Sequence, residues 1–122
     1  AEREGRLVYG CLCSAGYQVA DPFSEQKQIT TGLFSDRVKI LHIAGHGVFE
    51  FAIGQKEYSG LVLENGCFGP ADVRQLPSVP ELVFINCCHL GKLQGRNYSK
   101  LAANLAEAFI EVGARAVVAA GW

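Results

Sequence analysis

Two short segments hold the residues best suited to chemistry: His42-Ile43-Ala44-Gly45-His46-Gly47 and Asn86-Cys87-Cys88-His89-Leu90-Gly91. A cysteine and a histidine brought together can carry out nucleophilic acyl transfer. A free thiol has a pKa of about 8.5 and is mostly protonated near neutrality, so it attacks well only when an adjacent imidazole favours the thiolate. The carbonyl oxygen under attack gathers negative charge, which backbone N–H groups must meet. Here Cys88 is the candidate nucleophile and His46 the candidate base. The N–H groups of Gly47 and Cys88 are candidate oxyanion donors, and Gly47 has no Cβ to obstruct a close carbonyl.

Each residue also has a plainer reading. A cysteine at a strand end is most often inert packing, and a histidine in an apolar run is most often a satisfied core group. The chemical reading gains from the pairing of His-Gly with Cys-x-x-Gly at the ends of two successive apolar runs.

Those runs are the elements that must position the pair. Residues 38–44 are apolar and bounded by Gly45 and Gly47, which predicts a strand buried on both faces; residues 81–88 predict a second, and residues 115–120 a third. Apolar residues at helical offsets predict helices over 2–13, 25–34 and 101–112, the last capped by Asn97 or Ser99 and closed by Gly113. Residues 16–20 read as a short strand, 70–76 as a short helix with Pro near its first turn, and 60–68 as a small hairpin turning at Asn65-Gly66. Strands alternating with helices predict an α/β fold with a mainly parallel sheet and helices on both faces. In such sheets functional groups gather beyond the carboxyl ends of the strands. If the first two strands are neighbours, roughly 4.8 Å apart, His46 and Cys88 face each other across one gap.

The bulk composition narrows the partners. At 122 residues the chain makes one domain, residues 1–122, and 49% hydrophobic against 19% charged residues describes a globular chain. The net charge is −1 with eleven scattered basic residues, which argues against nucleic acid or anionic lipid as partner. Apolar runs of about eight residues fall short of the roughly 20 that span a bilayer, so no membrane segment is expected. Five cysteines without disulfide-framework or zinc spacing suit a reducing cytoplasm, and neither a metal nor a cofactor is expected.

At the two reactive segments the sequence resembles the CHAT family, bacterial caspase-like peptidase domains often fused to tetratricopeptide repeats. The family's strand ending in His-x-x-x-His-Gly matches His42 to Gly47, and its Ser-Ala-Cys-Glu-Thr-Gly motif falls on Asn86 to Gly91. Its Gly-Ala-Arg-x-Val strand ending in Trp matches Gly113 to Trp122. The resemblance implies a caspase-like three-layer sandwich, truncated here at both ends, with His46 as catalytic histidine, Cys88 as nucleophile, Gly47 as oxyanion glycine and His42 in a supporting role. It further implies a protein or peptide substrate, a thioester acyl-enzyme, and a parent chain regulated through attached repeats. Asn86, His89 and Leu90 depart from the family's Ser, Glu and Thr, so the nucleophile's loop is chemically unlike the usual one.

Two other function classes compete. A caspase-like scaffold without activity would bind partners, and Cys88→Ala would leave its effect intact. A receiver-like or nucleotide-binding domain is disfavoured, because no Gly-rich phosphate loop follows any strand. Asp72, Glu64 and Glu50 are read as solvated loop charges, and Tyr98 and Trp122 as packing beside the cleft.

Overall fold

The computed structural model describes residues 1–35, 37–89 and 98–121, with every side chain among them except those of residues 51, 53, 58, 89, 98, 99 and 121. In chain order the elements are α1 (Glu2–Ser14), α2 (Gln26–Ser35), β1 (Ile40–Ile53), β2 (Lys56–Leu63), β3 (Gly66–Phe68), α3 (Pro70–Val73), β4 (Leu82–His89), α4 (Tyr98–Glu111) and β5 (Ala116–Gly121). They build one sheet in the order β3-β2-β1-β4-β5. The ladders β1–β4 and β4–β5 are parallel, and β2 and β3 extend the sheet beyond β1 as antiparallel strands. Helices lie against both faces of this α/β sheet, α1 on one and α4 on the other.

The core lies between the sheet and α4. Val83, Ile85 and Cys87 alternate along β4 and are buried, as the period-2 geometry of a strand requires of residues sharing a face. Leu101, Ala102, Leu105, Ala108 and Phe109 recur at helical offsets on α4 and meet them. Leu105, Ala108, Phe109 and Val83 have no solvent exposure at all. Each large side chain so buried contributes on the order of 1.5–3 kcal/mol. Gly113, at φ 110°, ends α4 in a conformation that Gly adopts without strain, and Ala114 N–H returns to the Phe109 carbonyl.

Sequence expectations are corrected at several points. Residues 16–20 form no strand: Gly16 (φ 86°) closes α1, and among the described residues the segment beyond it joins no ladder. The strand expected over 38–44 runs on past Gly45 and Gly47 to Ile53, turns at Gly54-Gln55 and returns as β2, with Ile53 opposite Lys56. Gly54 has φ 65°, suited to the first position of a two-residue hairpin loop. The β2–β3 turn is centred on Glu64-Asn65, since Leu63 pairs with Gly66. Among the described residues only Glu50 combines a side chain with positive φ, so this turn is not of the primed type expected for Asn-Gly. Gly66 lies beneath the end of the Gln26 side chain, whose Nε2 donates to the Cys67 carbonyl at 3.2 Å.

Glu50 marks a bulge. Val48 pairs with Gly60 and Phe51 with Tyr58, leaving Phe49 and Glu50 opposite Ser59 alone. Glu50 takes φ 50°, and its N–H donates to Ser59 Oγ at 2.9 Å. The helix expected over 70–76 is the single turn α3, with Pro70 at its start and Asp72 Oδ2 accepting from Gly69 N–H at 2.7 Å. Ser99 lies inside α4 rather than capping it, and Asn97 lies outside the described residues.

Candidate functional site

In the parallel ladder between β1 and β4, His42 pairs with Phe84, Ala44 with Asn86 and His46 with Cys88. Register partners in a parallel sheet project to the same side, so equal phase along both strands brings His46 and Cys88 out together. Cys88 Sγ lies 2.8 Å from His46 Nδ1 and 3.9 Å from the Gly45 carbonyl oxygen. With Nδ1 accepting from the thiol, the imidazole carries its own proton on Nε2. His46 is exposed and Cys88 half-buried, an arrangement open to an incoming carbonyl.

The adjacent cysteine is built differently. Cys87 faces α4, is 3% exposed, and burial pushes its thiol up to about 11, with the charges of Cys88 and Glu4 adding to the effect. Cys67 is also pushed up, first by burial and then by Asp72. Only thiolates attack readily, so of the two neighbours Cys88 alone has the partner and the access. All five cysteines are free.

Below the pair, on the same face, His42 and Asn86 converge on one carboxylate from α1. His42 Nε2 donates to Glu4 Oε1 at 3.0 Å, and Asn86 Nδ2 lies 3.0 and 2.9 Å from Glu4 Oε1 and Oε2. The His42 ring also lies against Phe84, centroids 6.4 Å apart. His42 therefore bonds to Glu4 rather than to His46. Sequence reasoning missed Glu4, because a carboxylate in the first turn of a charged amphipathic helix reads as solvated, and nothing local marks it as tertiary.

Gly47 is buried, paired with Leu61 on one side and His89 on the other. A Cβ at this position would collide with Leu101 of α4, so the packing itself demands glycine here. Of the loop charges, Asp72 caps α3, Glu64 accepts from Ser24 Oγ at 2.9 Å, and Glu50 occupies the bulge. Leu90, Gly91 and Trp122 lie outside the described residues, and the side chains of His89 and Tyr98 are likewise not described.

Among the described residues no group of three or more His, Cys, Asp or Glu is placed to hold a metal ion, and no helix is long and apolar enough to cross a membrane. Two open depressions run along α1, one lined by Glu2, Arg3, Arg6 and Leu7 and the other extending from Arg6 to Ala15. Neither includes His46 or Cys88. A family model described as CHAT domain matches residues 18–122. No curated protein and no solved structure matches the chain.

Proposed function

The chain belongs to the CHAT domain family, a caspase-like family, and on that premise we propose that it is a cysteine peptidase domain with Cys88 as nucleophile and His46 as base. The observation that carries this reading is the contact of Sγ with Nδ1 at 2.8 Å between register partners at the ends of two parallel strands.

The chemistry runs as acyl transfer on a polypeptide. His46 Nδ1 takes the thiol proton, and the thiolate attacks the carbonyl carbon of the scissile peptide bond. The oxyanion that forms is met by the N–H of Cys88 at the end of β4, whereas Gly47, the other candidate donor, lies buried between Leu61 and His89 in the sheet. As the C–N bond breaks, the imidazolium returns its proton to the leaving amine, and the acyl group remains on sulfur as a thioester. Water, deprotonated by His46, then adds to the thioester carbonyl; the C–S bond breaks, the acid product departs and the thiol is restored. The polypeptide class of substrate rests on family membership.

Two experiments test the proposal. The complete protein incubated with a peptide library should cleave a subset of peptides, and Cys88→Ala should abolish that cleavage while leaving the circular dichroism spectrum unchanged. At pH 6, where ordinary thiols are protonated, iodoacetamide should modify Cys88 ahead of Cys11, Cys13, Cys67 and Cys87. Cleavage that survives Cys88→Ala, or a Cys88 that labels no faster than the exposed Cys11 and Cys13, would refute it.

A further inference from the structure

We infer that Glu4 of α1 is a positioning residue for Cys88 and His46, an inference that rests on the acyl-transfer reading of that pair. Its carboxylate is tied at once to both strands that carry them. His42 stands four residues before His46 on β1, and Asn86 stands two residues before Cys88 on β4. At about 3.3 Å per residue, the Asn86 tie lies roughly 7 Å along the strand from the nucleophile, on the same face. Glu4 precedes residues 18–122, the segment that the family model matches.

The pair needs such a bracket because its contact joins side chains from two different strands, near the end of the ladder they share. Among the described residues Gly47 and His89 are the last pair of that ladder, and β1 continues into the hairpin with β2. On the opposite face α4 packs the sheet tightly, whereas α1, all of whose residues are described, buries none of them. The backbone ladder from Ile40–Leu82 to Gly47–His89 sets the register of β1 and β4, and the ties from Glu4 add a side-chain link between the two strands on the face where burial does little. The carboxylate is partly shielded, with His42 18% and Glu4 34% exposed in their side chains, so these bonds are stronger than surface pairs such as Glu2–Arg6, exposed by 81% and 74%. Its charge also reaches Cys87, where it helps hold the buried neighbour as a thiol.

The test reads alkylation of each cysteine by iodoacetamide and mass spectrometry in the full chain, which needs no known substrate. Cys88 modification should slow about tenfold in Glu4→Ala, the scale on which small displacements of a reacting pair are felt. Asn86→Asp, which sets two carboxylates against each other, should slow it similarly. Combining Asn86→Asp with Glu4→Gln restores a donor and acceptor with their direction reversed, and should return the rate to within about threefold of wild type. Cys87 should stay protected throughout, and Cys11 and Cys13 should label at unchanged rates. An unchanged Cys88 rate in Glu4→Ala overturns the inference. So does a loss accompanied by labelling of Cys87, which reports general loosening, or a double variant that fails to recover. A wild-type Cys88 that is not activated above Cys11 and Cys13 instead removes the acyl-transfer reading, and the inference with it.

Discussion

The two faces of the sheet differ in what they bury and in what they offer to chemistry. Against α4, Val83, Ile85, Leu105, Ala108 and Phe109 are sealed to 2% exposure or less. On the α1 side Phe84 is 38% and Val118 54% exposed, yet this face carries His46, Cys88 and the carboxylate tie of Glu4. Burial supplies stability without direction, whereas a reacting pair needs access and fixed angles. Division of labour between faces satisfies both, because a single strand presents alternate residues to opposite sides. Cys87 and Cys88, one bond apart in sequence, fall on either side of that division.

The comparison is broken most severely from the α4 side. Phe109→Ala should cost about 3–5 kcal/mol, read as a lower denaturant midpoint, and should unfold the pair along with the core. Gly47→Ala forces a methyl into Leu101 and should cost about 1–3 kcal/mol. Adding Leu101→Ala should recover part of that loss, so the two substitutions will not sum. The coupling thereby separates the packing role of Gly47 from any part in the proposed chemistry.

Cys87 sharpens the contrast through pH. Its thiol is raised from 9.0 to about 11 in the folded chain, so between those values the folded state holds a proton that the unfolded state has released. Its contribution to stability is therefore intact below pH 9 and falls as pH rises towards 11. Denaturant midpoints measured across that window should decline more steeply in wild type than in Cys87→Ala; parallel slopes would contradict the burial of this thiol. The smallest effect belongs to the open face, where Val118→Thr should change stability by no more than about 0.5 kcal/mol in the same assay.

Much of the arrangement could be read from residues alone. The three long apolar runs and the helix through Leu101 and Phe109 are strong periodic signals, and they correspond to β1, β4, β5 and α4. The proximity of His46 and Cys88 followed from both residues closing such runs, given that parallel neighbours end at the same edge. The far half of β1 was also visible in principle, as the alternation of Phe49, Phe51 and Ile53 before Gly54-Gln55, but Gly45 and Gly47 read as a boundary. Glycine interrupts a strand in sequence statistics; here Leu101 needs the space that Gly47 leaves. The short run at 16–20 failed for the converse reason, since a strand requires a partner that local pattern does not specify.

Side-chain periodicity thus determined which residues are buried and on which element, because the alternation of strands and the turn of a helix are properties of neighbouring residues. Which strands became neighbours, which glycine makes room for which leucine, and which carboxylate reaches Asn86 were decided only on folding. Those contacts join residues 34 to 82 positions apart, as Leu82 to Ala116 and Asn86 to Glu4 are, and their energies depend on distances that no local run of sequence encodes.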